Sequence, residues 1–197
     1  MAAPLNSHGD HRDYTDAEKQ RLTSNLVQVT GEIHDGQWRA LPVSAATLAN
    51  LHERLFRGVR DHAGRLRGKG WGAERLSFGP NRSHHRDDVA PALEKAFQEV
   101  QRSIRSLLDN PEDPQYEHHT VHVAVWIHAR VIQIHPFEDG NGRSSRLLMA
   151  KVLVDLGMQP IPIEATKQEY TTLLNSFFRD ERIQALVDLF LRLADPG

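Results

Sequence analysis

Apolar residues recur at helical spacing along most of the chain, which predicts a mainly α-helical fold. Ser44 can cap a helix in which apolar residues follow every three or four positions. A second apolar stripe begins after Asp87 and Asp88 and stops near Asn110. Four further helices are predicted over residues 118–134, 143–156, 166–178 and 182–194. The first of these four is apolar on nearly every side, which is typical of a helix at the centre of a bundle.

One interval of the chain breaks the helical pattern. Residues 64–86 contain five glycines and show no helical period. Leu76, Ser77 and Phe78 lie within it, between charged residues and a Gly-Pro-Asn turn, so they predict a short strand or the edge of a hairpin. We expect this interval to form a surface flap or loop on the helical domain.

Length and composition limit the classes of function. The chain has 197 residues, enough for one domain with a sizeable core; residues 1–14 are polar and predict a flexible tail, followed by a single domain over 15–197. Its 24 Lys and Arg against 26 Asp and Glu give a charge of -2, which argues against a general nucleic-acid binder. Cysteine is absent, and no apolar run approaches the roughly 20 residues of a membrane span. Without a secretory signal at its start, the chain is expected to be cytoplasmic.

The loop between the two central helices concentrates residues suited to phosphate chemistry. Its Gly-Asn-Gly turn, residues 140–142, lets successive backbone N–H groups point at an anion where a helix begins. Arg143 and Arg146 add positive charge on one helical face, and Asp139 is the hard oxygen ligand that Mg²⁺ prefers. His135 is the side chain best suited to take a proton from a hydroxyl near neutral pH.

Together these residues resemble the signature of the Fic family. The segment from His135 to Arg146 matches His-x-Phe-x-(Asp/Glu)-Gly-Asn-Gly-Arg-x-x-Arg at every fixed position. A looser resemblance covers about residues 48–190, where Leu51–Phe56 and Ala63–Arg67 are similar to early family sequences. The resemblance implies a compact helical bundle with a β-hairpin flap. It also implies AMPylation, the transfer of AMP from ATP to a protein hydroxyl with release of pyrophosphate.

The resemblance assigns roles residue by residue. His135 would deprotonate a Ser, Thr or Tyr hydroxyl of a target protein, which then attacks the α-phosphorus of ATP, and Asp139 would hold Mg²⁺. The residues that would bind ATP are Gly140, Asn141, Gly142, Arg143 and Arg146 at the phosphates and Tyr170 at the base. Phe137 would anchor the loop in the core. Leu76, Ser77 and Phe78 would belong to the flap that docks the target segment by strand addition.

Several alternatives stay open at this point. A related kinase branch binds the nucleotide reversed, but it usually has Lys in place of Gly142. Other nucleotidyl or phosphocholine donors, and an inactive module that binds nucleotide or a partner, are further candidates. The family's inhibitory motif, (Ser/Thr)-x-x-x-Glu-(Gly/Asn), has no clean copy here, although Glu32 lies in a partial match. A separate small antitoxin that covers Arg146 is therefore an open alternative, and the oligomeric state, homo-oligomer included, is undetermined.

Two weaker patterns complete the sequence. His118 and His122 have the spacing of a helical metal pair, but no third ligand is placed, so surface or core histidines are the preferred interpretation. Residues 51–90 carry nine Lys or Arg against five Asp or Glu. This excess is either a solvated face or a docking surface for an acidic partner or nucleic acid.

Overall fold

Seven α-helices and one β-hairpin make up the computed structural model, which describes residues 14–195. The helices are α1 Asp16–His34, α2 Ala45–Phe56, α3 Val89–Leu108, α4 Tyr116–Ile134, α5 Asn141–Asp155, α6 Lys167–Asp180 and α7 Gln184–Ala194. Strands β1 Ser77–Phe78 and β2 Asn81–Arg82 pair antiparallel, and a 3-10 turn, Arg86–Asp88, leads into α3. The predicted fold class, a mainly α bundle with a short hairpin, is confirmed. None of the described helices is both long and apolar enough to cross a membrane.

The predicted central helix lies at the centre of the bundle. α4 packs against α3, α5 and α7, and apolar side chains are buried around most of its circumference. Ser44 caps α2 as expected, because its Oγ accepts a hydrogen bond from the N–H of Thr47 at 3.2 Å. The amphipathic stripe of α3 buries Leu93, Phe97 and Val100. The remaining helix boundaries lie within about two residues of the predicted ones, as usual for helix ends.

The first helix, α1, was not predicted. Its apolar pattern is sparse, since Leu22, Val29 and Ile33 are its buried residues. A local signal was nevertheless present in the capping box of Thr15 and Glu18, where each side chain bonds the other's backbone N–H, at 3.2 Å and 2.8 Å. α1 packs against α2 and α5, so the domain begins well before the first predicted helix.

The predicted tail lies outside the described residues except for Tyr14. This residue differs from the prediction, because its half-buried side chain packs against the core. The guanidinium carbon of Arg60 lies 4.1 Å from the centroid of the Tyr14 ring. Tyr14 therefore belongs to the folded part of the chain.

The turn into α5 is tightly packed at Gly140. Its φ is +75°, in the left-handed region that favours glycine, and a Cβ added there would lie 2.1 Å from Cε2 of Phe56. The structure thus requires glycine at this point of the signature for both its backbone angle and its lack of a side chain.

Replacing Gly140 by Ala should lower the free energy of unfolding by about 3 kcal/mol, because the methyl group overlaps the Phe56 ring and the backbone is strained. Urea unfolding measures this loss. Gly157→Ala is the matched control, since Gly157 has φ +85° but its added Cβ meets nothing within 4 Å. It should cost about 1 kcal/mol, and equal losses at the two positions would contradict the steric explanation.

Candidate active site

His135 follows the last residue of α4 in a left-handed conformation that ends the helix. It has φ 57° and ψ 61°, and its backbone N–H donates to the Val131 carbonyl oxygen at 2.9 Å. Its Nδ1 lies 3.2 Å from the carbonyl oxygen of Ile132, which can only accept, so Nδ1 bears the proton of the neutral ring. Burial lowers the pKa of His135 to about 4. Nε2 therefore carries a lone pair at neutral pH, as a general base requires.

A cavity of about 230 Å³ adjoins His135 and gathers several of the predicted site residues. Its lining includes Gly142 and Arg146 from α5, Tyr170 from α6 and Phe78 from the hairpin. Because α5 begins at Asn141, its unpaired backbone N–H groups lie beside this cavity. The positive end of the helix dipole adds to them, so this wall of the cavity favours an anion such as phosphate.

Arg67 fastens the loop that carries His135 to the base of the hairpin. Its guanidinium is buried and donates to the carbonyl oxygens of His135 and Ala73, both at 2.9 Å, and of His84 at 3.1 Å. The backbone N–H of Arg67 also donates to the Pro136 carbonyl oxygen at 2.7 Å. Burial lowers the pKa of Arg67, yet an arginine remains protonated. The left-handed backbone of His135 is thus held by a buried cation.

Two further polar side chains fix the rest of the loop. Nδ1 of His52 accepts from the Gly64 N–H at 2.8 Å, so its Nε2 carries the proton and donates to the Asp139 carbonyl oxygen at 3.0 Å. The Asn141 side chain accepts from the Phe137 N–H and donates to the Phe137 carbonyl oxygen, both at 2.9 Å. The anion-binding role predicted for Asn141 would therefore fall on its backbone N–H. Phe137 itself is fully buried.

Asp139 lies in a cluster of hydrogen-bond donors beside the start of α5. Nη2 of Arg143 is 3.2 Å from its Oδ1, and Nε of Arg60 is 3.3 Å from its Oδ2. The hydroxyl of Tyr14 donates to Oδ2 and accepts a hydrogen bond from Arg143 at 2.9 Å. A cation that binds this carboxylate would have to displace one of these donors.

Tyr14, Glu18 and Arg60 were missed as site residues. Tyr14 and Arg60 lie 125 and 79 residues from Asp139 in the chain, and Glu18 joins them through its Oε1, 3.4 Å from Nη1 of Arg60. None of the three belongs to the signature, so no pattern in the sequence marks their contact with it. The capping box at Thr15 is the nearest local signal, and it predicts a helix start rather than a site.

Arg146, the second arginine of the signature, is hydrogen-bonded to a buried tyrosine. The Tyr170 hydroxyl accepts from Arg146 and contacts Nε2 of His128. Burial lowers the pKa of His128 to about 3 and raises that of Tyr170 to about 12, so the hydroxyl stays protonated and donates to the neutral imidazole. The Tyr170 ring lines the cavity, while its hydroxyl orients Arg146. Contact of Tyr170 with a nucleotide base stays a prediction.

The hairpin covers the His135 ring. Phe78 stacks on the His135 ring, with centroids 4.4 Å apart and ring planes inclined by 13°. Nδ2 of Asn81 donates to Oδ1 of Asn175 at 2.7 Å, which ties β2 to α6. Of the three predicted flap residues, Phe78 lines the cavity, whereas Leu76 is half-buried and Ser77 exposed outside it.

Two features considered from the sequence lie elsewhere. The Glu32 carboxylate pairs with Arg54 of α2 and accepts from the Trp38 Nε1 at 3.3 Å. His118 and His122 gain no third ligand: across residues 14–195, no three His, Asp or Glu side chains converge as a metal site. Neither feature contributes to the cavity beside His135.

The sequence matches a family model and several curated proteins. The Fic/DOC family model matches residues 42–153. Similar curated proteins include two called Protein adenylyltransferase Fic, from Nematostella vectensis, 36% identical over 90 residues, and from Culex quinquefasciatus, 48% identical over 46 residues. These matches cover 45% and 23% of this chain but 20% and 9% of the relatives. The chain thus spans a fifth or less of these curated relatives.

Solved structures share the fold at low sequence identity. The N-terminal FIC domain of Bep8, a VirB-translocated effector from Bartonella sp. 1-1C, is similar with a TM-score of 0.74 and 16% identity, covering 99% of this chain and 94% of that chain. BepC from Bartonella tribocorum, solved with bound AMPPNP, gives a TM-score of 0.69 at 18% identity, covering 90% and 86%. At these identities the likeness establishes the fold alone.

The buried neutral histidines predict a loss of stability in acid. Burial lowers the pKa of His52 and His128 to about 3 and that of His135 to about 4, whereas the unfolded chain binds these protons near pH 6.5. As the pH falls below that value, the unfolded state is protonated first. The folded state should therefore lose on the order of 2 kcal/mol per histidine by about pH 5.

Urea unfolding near neutral pH and near pH 5 measures this loss. In His128→Gln the loss should shrink by about a third, since one of three such groups no longer titrates. His119→Gln is the control, because the His119 side chain is only half-buried, beside Asp113. Unchanged stability across this range, or the same pH dependence in His128→Gln as in the natural chain, would contradict the assignment.

Proposed function

The chain belongs to the Fic/DOC family, and we propose that it is a protein adenylyltransferase that moves AMP from ATP to a Ser, Thr or Tyr hydroxyl of a target protein. The observation that carries the proposal is the neutral His135 ring, whose Nε2 is a hydrogen-bond acceptor beside a cavity. Gly142 and Arg146 also line this cavity. Relatives called protein adenylyltransferase, and a neighbour solved with AMPPNP, support a nucleoside triphosphate as the ligand.

The transfer requires a nucleophile placed in line with the α-phosphorus and stabilisation of charge on the phosphate oxygens. Nε2 of His135 takes the hydroxyl proton as the hydroxyl oxygen bonds to the α-phosphorus and the bond to pyrophosphate breaks. Arg143 and Arg146 hold the phosphates together with the backbone N–H groups that begin α5. The hydrogen bond between Arg146 and Tyr170 fixes the direction of that guanidinium.

Asp139 is the residue that would hold the Mg²⁺ of this reaction. Its carboxylate is a hard oxygen donor, nearly buried beside α5, and its partners Arg60, Arg143 and Tyr14 all donate to it. Mg²⁺ would therefore bind these oxygens only by displacing one of the donors, and a phosphate chain that draws Arg143 away would free Oδ1 for it. A bound Mg²⁺ would neutralise charge on the phosphates, and Arg60 would keep the carboxylate oriented.

Competing functions make different demands on the same cavity. Gly142 lines the cavity at the position where the kinase branch usually has Lys, which favours AMP transfer over phosphate transfer. A different nucleotidyl or phosphocholine donor would use the same phosphate-binding wall. A small antitoxin remains an alternative means of inhibition, because Glu32 pairs with Arg54.

Transfer of label from ATP distinguishes these functions. In a cell lysate with Mg²⁺, the chain should move label from the α-phosphate of ATP onto protein, and His135→Ala should lower that transfer by about a hundredfold or more, because it removes the general base. His118→Ala, on the first turn of the same helix, should leave transfer unchanged. Label from the γ-phosphate alone would indicate a kinase. Absence of label with intact nucleotide binding would indicate a binding module.

A further inference from the structure

Several arginines among residues 51–90 are paired or buried within the fold, whereas those at the hairpin are not. Acidic partners pair with four of its arginines, in the ion pairs Arg54–Glu32, Arg57–Glu53, Arg60–Glu18 and Arg86–Glu74. Arg67 is buried against carbonyl oxygens. Arg75 and Arg82, before and within the hairpin, are exposed and have no acidic group within ion-pair distance among residues 14–195. Arg65 and Lys69 are exposed as well, and Arg75 and Arg82 are the part of this charge that lies at the hairpin.

A groove of about 680 Å³ runs along this charged face. Arg75 and Arg82 line it from the hairpin, and Arg179 lines it from α6. Arg179 shares the carboxylate of Asp180 with Arg182, so that group of three side chains still carries a net positive charge. The lining also includes one acidic residue, Asp88, and the rings of Phe78 and Phe178. The groove therefore combines a cationic rim with an aromatic floor.

The groove and the cavity beside His135 share one wall. Phe78, Pro80, Asn81, Asn175 and Phe178 line both spaces. Since the Phe78 ring stacks on His135, a chain segment lying in the groove passes next to the ring that covers the general base. A hydroxyl on that segment would be close to the position from which His135 can accept its proton.

We propose that this groove binds an acidic segment of the target protein, with carboxylates at Arg75 and Arg82 and the acceptor hydroxyl near Phe78. The proposal rests on the proposed function in identifying the bound segment as a transfer target. Charge complementarity favours Glu and Asp in that segment, and the aromatic floor suits the stems of peptide side chains. Two exposed arginines on a chain of net charge -2 are few for a nucleic-acid backbone, which favours a peptide.

Binding without nucleotide tests the groove separately from catalysis. The probes are a fluorescein-labelled peptide with Glu residues around one Thr, its Gln-substituted isostere and a single-stranded oligouridine of similar length, measured by anisotropy at low and physiological salt. We expect the Glu peptide to bind at least about fivefold more tightly than the Gln peptide at low salt, with the preference declining as salt rises.

A matched pair of double variants locates the contact. Arg75→Gln with Arg82→Gln should weaken Glu-peptide binding about fivefold or more, whereas Arg102→Gln with Arg105→Gln, the same charge change on exposed α3 residues, should change it less than about twofold. Arg75 also donates to the Ser83 carbonyl oxygen, so replacing it removes a hydrogen bond at the hairpin. The single variant Arg82→Gln keeps that bond and therefore tests the charge without that loss. It should weaken binding about twofold or more.

Each contrary result overturns the proposal. Equal losses in the two double variants would mean general charge attraction, and tighter binding of the oligouridine through Arg82 would mean a nucleic-acid surface. If the chain transfers AMP but shows no preference for the Glu peptide, the docking assignment fails while the activity stands. If peptide binding follows the expected pattern without any transfer, the groove stands and the proposed function fails.

Discussion

A guanidinium buried beneath the loop between α4 and α5 determines where the candidate active site lies. Removing an arginine side chain from water costs several kcal/mol unless its donors are satisfied. Arg67 meets this condition with the carbonyl oxygens of Ala73, Glu74, His84, Ile134 and His135. Carbonyl oxygens at the end of a helix lack partners within it. The same cation therefore satisfies the carbonyl oxygens at the end of α4 and holds the base of the hairpin. His135 and the hairpin are therefore placed by one group.

The space around that loop is filled, which explains the kinds of side chain found there. Phe137 stacks on His52, with ring centroids 3.8 Å apart. The Gly140 backbone lies so close to the Phe56 ring that a Cβ would not fit between them. A charged imidazole in such a place would lose its water without gaining a counter-ion. His52 and His135 are accordingly neutral, and each ring has its tautomer set by one backbone group, the N–H of Gly64 or the carbonyl of Ile132.

The sequence predicted the helices from α2 onward and the short β element, and it marked the segment from His135 to Arg146, because each has a local pattern. Helical periodicity needs only neighbouring turns, and the signature from His135 to Arg146 is contiguous. Contacts between distant parts of the chain have no such pattern. Tyr14 was therefore assigned to a tail although it bonds Asp139, and the charge count could not tell buried Arg67 from exposed Arg82.

The Asn141 side chain illustrates a second limit of sequence reasoning. Its position in the Gly-Asn-Gly turn predicts contact with an anion, yet its amide closes the loop on Phe137, leaving the backbone N–H for that role. The sequence predicts an anion at the backbone N–H groups of this turn, but it carries no signal for the bonds that the side chain makes to Phe137. Those bonds depend on backbone geometry, which follows from the turn as a whole.

The hairpin is too small to be stable by itself, so its contacts with the site are also what keep it folded. Each strand has two residues, far below what an isolated hairpin needs. Phe78 on His135, Asn81 on Asn175 and Arg67 beneath the hairpin base supply the missing stability. Because Phe78 covers His135 and is one of these anchors, uncovering His135 must weaken the hairpin's attachment to the domain. A segment that binds along the hairpin would offset that loss, which links binding at the hairpin to the exposure of His135.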